Sequence, residues 1–131
     1  MAELKDLFQK ADWKTEKHVP VIECGDSFKK NEVISINVMI GKEVPHPNTS
    51  AHHIVWIDIY FLPDGEKFPY QICRYEFSSH GASTQGPDTS SIYTPFDFTA
   101  KMITAKSGRI LVSSYCNIHG LWSNERSISV S

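Results

Sequence analysis

In the stretch SSYCNIHGLW, residues 113–122, Cys116 stands three positions before His119. A thiolate and an imidazole at that spacing can reach one metal ion from a single turn. Such a pair is half of a site, and the chain has no second Cys-x2-His and no Cys-x2-Cys. The remaining donors must come from distant segments. Six histidines are available: His18, His46, His52, His53, His80 and His119. His46 lies in EVPHPNTSAHH, residues 43–53, between Pro45 and Pro47. The two proline rings fix φ on either side of it, which lowers the entropy cost of holding an imidazole in place. His52 and His53 close the same segment.

The donor types restrict the metal. Structural zinc commonly takes four ligands with more thiolates than one, so zinc is possible here but unfavoured. A blue-copper carrier, an electron-transfer protein on a β-sandwich, uses one thiolate, two imidazoles and a weak axial methionine. No methionine follows His119, and Met39 and Met102 fall in strand-like segments. Copper therefore lacks its axial ligand and leaves histidines unexplained. Cys24 and Cys73 read as small half-buried fillers. His80, beside Gly81 in a turn-rich segment, reads as a structural hydrogen-bonding residue.

These donors need a scaffold of short strands. HVPVIE (18–23), EVISINVMI (32–40), HIVWIDIYFL (53–62), YQICRYEF (70–77), FDFTAKMIT (96–104), RILVSSYC (109–116) and RSISV (126–130) are rich in branched and aromatic residues. EVISINVMI alternates strictly, and HIVWIDIYFL is the longest apolar run, which suits a central strand. Turn clusters separate them: PDGE at 63–66, a Ser/Gly-rich stretch at 78–91 and KSG at 106–108. Seven strands of this kind predict an all-β fold, a seven-stranded antiparallel sandwich of immunoglobulin type. Leu4, Leu7, Phe8 and Ala11 fall at helical spacing, so a short N-terminal helix is expected within residues 1–15. In a sandwich the loops gather at the ends. His18, His46, His52 or His53, Cys116 and His119 can then converge.

Composition sets the context. A chain of 131 residues, 40% apolar, is expected to form one domain, residues 1–131, with no further domain before it. The net charge of −2 and the lack of a basic, aromatic-laced cluster argue against nucleic acid. No apolar stretch is long enough for a membrane span and no leader is visible. Three widely spaced cysteines suit reduced thiols, hence a cytoplasmic location.

The segments EKHVPVIE (16–23), GKEVPHPNTSAHHI (41–54) and SYCNIHGLW (114–122) resemble the one-iron superoxide reductases, the neelaredoxin branch of the desulfoferrodoxin family. YFLPDGE (60–66) and the region around HGASTQGP (80–87) are similar as well. The resemblance implies an immunoglobulin-like sandwich assembled as a homotetramer. It also implies one mononuclear non-haem iron, Fe2+/Fe3+, per subunit. His18, His46, His52 and His119 would be the equatorial imidazoles and Cys116 the axial thiolate. It chooses His52 over His53, which the residues alone leave open. Glu16 corresponds to a glutamate that takes the sixth position in the oxidised state, and Lys17 to a lysine beside the open face. The implied activity is reduction of superoxide to hydrogen peroxide without release of oxygen. Rubredoxin, or a similar small redox protein, would be the electron donor. The rubredoxin-like domain of the other family branch has no counterpart before Trp13.

Overall fold

The alternation in EVISINVMI sorts its side chains cleanly in the computed structural model, which describes residues 2–131. Ile34, Ile36 and Val38 are fully buried, whereas Val33 on the opposite face is exposed. This strand, β3 (Val33–Met39), is the centre of a three-stranded sheet between β1 (Val21–Glu23) and β6 (Asp97–Ile103). A second sheet has five strands in the order β2 (Ser27–Phe28), β8 (Gly120–Val130), β7 (Gly108–Cys116), β4 (Ile54–Pro63), β5 (Tyr70–Glu76). The apolar core lies between the two sheets. Ile34, Ile36 and Val38 meet Ile57, Ile59 and Ile110 there, and Cys116 closes one end of the cluster. The long apolar run expected to be central is β4, hydrogen-bonded on both sides by β5 and β7.

Three expectations change. The described residues form eight strands, because Ser27–Phe28 forms a two-residue strand too short to carry any periodicity. It runs parallel to β8, so the sandwich is not wholly antiparallel. The expected N-terminal helix is a single 3₁₀ turn, Leu4–Leu7. None of its residues is buried, and Leu4 and Leu7 stay exposed. Just beyond it, the Gln9 N–H donates to the Leu121 carbonyl and the Gln9 carbonyl accepts from Ser123 N–H. Those bonds draw the backbone out along β8. A short helix cannot recover its nucleation cost against such pairing. No helix among the described residues is long and apolar enough to cross a membrane.

Two glycines shape the end where the histidines gather. Gly41 (φ +89°) lets the segment after β3 fold back so closely that an added Cβ would lie 2.8 Å from His46 N. Gly120 (φ +81°) closes the three-residue turn between Cys116 and β8. A left-handed residue at that position is the usual ending of a three-residue hairpin loop.

Candidate metal centre

Cys116 is the last residue of β7, paired with Gly120 across the hairpin, and its side chain is wholly buried. The turn carries His119 back over it, and the His119 N–H donates to Cys116 Sγ at 3.4 Å. His18 approaches from the segment before β1, where Val19 and Pro20 are buried. His46 and His52 come from the 41–53 loop between β3 and β4.

The four imidazoles form a square. Ring centroids are 4.9 Å apart for His18–His46, 4.8 Å for His46–His52, 5.0 Å for His52–His119 and 4.7 Å for His119–His18. The His18–His52 diagonal is 6.5 Å. Neighbouring rings are turned 55–77° to one another, so each presents an edge to the centre. Donor atoms of His18, His52, Cys116 and His119 all lie within 4.8 Å of each other. His46 Nε2 sits 3.6 Å from Cys116 Sγ, and His18 Nε2 is 3.1 Å from His119 Nδ1. Two nitrogens bound at right angles to one ion, each at about 2.1 Å, lie about 3 Å apart, so this spacing suits a shared cation.

The outer nitrogens fix which atoms face inward. His18 Nδ1 donates to Glu16 Oε1 at 2.6 Å, and His46 Nδ1 donates to the Pro47 carbonyl at 2.7 Å. Their Nε2 lone pairs therefore point to the centre, an orientation that partners behind metal-binding histidines commonly impose. His52 Nε2 is buried with no hydrogen-bond partner. An orphaned imidazole nitrogen facing three other donors and a thiol fits a metal site and little else.

Burial favours the neutral form of His18, His46 and His52. It is the main cause that pushes His46 from 6.5 down to about 4, with His18, His52 and Lys17 adding repulsion. Burial lowers His18 against the opposing pull of Glu16, and lowers His52 with help from His119 and Lys17. The ammonium of Lys17 thus acts on three of the four rings. Burial alone would raise the Glu16 carboxyl, but its bonds from the His18 side chain and backbone hold it below the usual range. Glu16 here stands behind His18 rather than inside the square.

His53 and His80 are not in the square; they stack on each other, with centroids 3.6 Å apart and planes 4° apart. Three further residues hold the site and escaped the sequence reading. Trp122 stacks on His18 (4.8 Å, 9°) and its Nε1–H donates to the His119 carbonyl. Gln9 Nε2 donates to that same carbonyl at 2.9 Å. Asn117 accepts from His53 N–H and donates to the Ala51 carbonyl, tying the hairpin turn to the 41–53 loop. Trp122 sits in the motif around Cys116 and invited attention; nothing in the sequence marks Gln9.

The desulfoferrodoxin family matches residues 10–125. The chain belongs to the desulfoferrodoxin family. Among family relatives, it is 45% identical to the neelaredoxin of Megalodesulfovibrio gigas, over 95% of this chain and 96% of that protein. It is 49% identical to the superoxide reductase of Pyrococcus furiosus, over 93% and 96%. Among solved structures of the family, the reduced form of the superoxide reductase (neelaredoxin) from Archaeoglobus fulgidus superposes with a TM-score of 0.88. That match has 52% identity and covers 94% of this chain and 98% of that one. The His/Cys square fits the iron site of a desulfoferrodoxin-family protein.

Proposed function

We propose that this protein is a superoxide reductase, converting superoxide, one electron and two protons to hydrogen peroxide without releasing oxygen. The observation that carries this reading is the square of four imidazoles with a buried thiol beside it, in a desulfoferrodoxin-family chain whose relatives bear that activity in their names. His18, His46, His52, His119 and Cys116 are the proposed ligands of one mononuclear non-haem iron per subunit. Bound iron supplies a one-electron couple for superoxide, with the thiolate raising its electron-donating power.

The remaining work belongs to side chains. Lys17, whose charge is felt at His18, His46 and His52, attracts the anionic substrate in a chain of net charge −2. Its Nζ–H groups are suited to order the water that delivers a proton to the departing peroxide. Glu16 is the proposed sixth ligand of the oxidised state. To act so, its carboxylate must leave both bonds to His18, so the same group alternates between orienting an imidazole and closing the site. His119 is the exposed member of the set, which gives an external donor an edge to approach. Rubredoxin or a similar small redox protein is the proposed donor.

The copper-carrier reading is not favoured. Met102 is packed in the core and Met39 lies in β3, so neither offers an axial sulfur. We assign residues 1–131 to one domain of immunoglobulin-like type and place it in the cytoplasm, where free Cys24 and Cys73 would stay reduced. A homotetramer is proposed from the resemblance. A groove of about 300 Å³ on the outer face of the five-stranded sheet, lined by Phe8, Tyr60 and Leu111, offers apolar surface for a neighbouring copy.

The test is anaerobic loading with Fe(II), metal analysis, and mixing with superoxide while oxygen and peroxide are followed. One peroxide per superoxide with no oxygen is expected. Oxygen evolved at half that amount would mark dismutation and reject the reading.

A further inference from the structure

Half of the square, His46 and His52, comes from a loop without strand structure, and something must hold that loop at ångström precision. We propose that His80 is the positioning residue that does so, a role that rests on the iron-site reading above. His80 lies on the separate 78–94 segment and is 9% exposed. Its Nδ1 meets the Asn48 side-chain amide at 2.9 Å, two residues after His46. That amide is anchored in turn, its Nδ2 donating to the Thr94 carbonyl at 2.9 Å. On the other side of the ring, Nε2–H donates to the Phe77 carbonyl at 2.6 Å, which ties His80 to the residue that follows β5. The ring face stacks on His53, the residue after His52. The His80 carbonyl accepts from Ser50 Oγ in the middle of the same loop.

A single buried side chain therefore grips the loop next to both of its inward-facing imidazoles and fastens it to the five-stranded sheet. Each contact restricts a different motion. The Asn48 bond sets how far His46 reaches, and the flat stack sets the tilt of His53 and so of the backbone that aims His52. A Gln at position 80 can replace one of the two ring bonds but not the stack. Changes behind metal ligands commonly cost roughly tenfold to a hundredfold in affinity.

The experiment is Fe(II) titration against a competing chelator for wild type, His80→Ala and His80→Gln, with amide hydrogen exchange on the metal-free full chains. We expect Fe(II) affinity to fall roughly tenfold to a hundredfold in His80→Ala and by less in His80→Gln. Amides of residues 44–53 should exchange faster in His80→Ala, while those of 109–116 keep their protection. Wild-type affinity in His80→Ala would overturn the proposal. So would equal loss of protection in the loop and in β7, which would make His80 a general stability residue. If wild type takes up no Fe(II), the iron-site reading fails first and carries this inference down with it; uptake by wild type and His80→Ala alike sinks this inference alone.

Discussion

His119 and His52 face each other across 5.0 Å, yet the backbone behind each is held in a different way. His119 belongs to a hairpin turn closed by Cys116 and Gly120, and its carbonyl is gripped by both Trp122 and Gln9. Trp122 also backs His18, so the hairpin side is built on sheet hydrogen bonds and a buried indole. His46 and His52 stand on a loop whose bonds run mainly to itself and to neighbouring loops: Thr49 to His52, Asn117 to Ala51 and His53, Asn48 to Thr94. Regular pairing fixes a donor through many small contacts, whereas the loop depends on a few polar side chains. The loop half is therefore the half that single substitutions should loosen.

The largest effect should come from the hairpin side, at the only thiol in the site. Cys116→Ser should abolish superoxide reduction, by at least about a hundredfold, because an alcohol replaces neither the charge nor the donor strength of a thiolate. Far-ultraviolet circular dichroism should remain that of wild type. Near wild-type turnover would remove Cys116 from the ligand set.

On the loop side, His52→Ala should deplete bound iron strongly, while His53→Ala should lower affinity by roughly tenfold, the low end of the cost for a group behind a ligand. Metal analysis after identical loading separates them. The reverse ranking would mean that the wrong member of the pair has been placed at the metal.

Lys17→Ala tests the approach to the site. The second-order rate with superoxide should drop by about tenfold at low ionic strength, and the deficit should shrink as salt shortens the screening length to about 8 Å. Lys17→Arg should keep most of the rate. Pulse radiolysis over a salt series decides, and equal rates for wild type and Lys17→Ala at low salt would leave this lysine without a steering role.

The smallest effect sharpens the comparison through pH. In the unfolded chain His46 takes a proton near 6.5, but in the fold it resists until about 4. Between those values the unfolded state binds more protons, so stability of the metal-free protein falls as pH falls through that window. His18 and His52, both lowered, add in the same direction. Urea midpoints measured from pH 7.5 to 4.5 should decline, and His46→Gln should flatten the decline. A midpoint that rises on acidification would contradict the neutral, buried state of these rings.

The strands were legible because their physics is local: alternation in β3 and the apolar run of β4 each announce one buried face. The two-residue β2 and the extended Gln9 were not, since both exist only because β8 offers free backbone groups far away in sequence. The convergence of side chains was half legible. Proline framing and the Cys-x2-His spacing pointed to His46, Cys116 and His119, which the fold brings together, but spacing could not separate His52 from His53. That His53 stays out of the square goes with its stack on His80, a contact across 27 residues that no local pattern records. The carboxylate of Glu16 behind His18 is also a product of chain folding, since their spacing alone allows it to point either way.

The outer hydrogen bonds of His18 and His46 have a consequence for proton stoichiometry. Because their Nδ1–H groups are committed to Glu16 and Pro47, these rings meet a metal with bare Nε2 atoms and need no change of tautomer. A neutral imidazole has no proton to surrender on binding, so protons released by metal uptake come from a thiol ligand as it becomes a thiolate. Titration calorimetry in buffers of different ionisation enthalpy should then show heats that differ by no more than one buffer proton per metal bound.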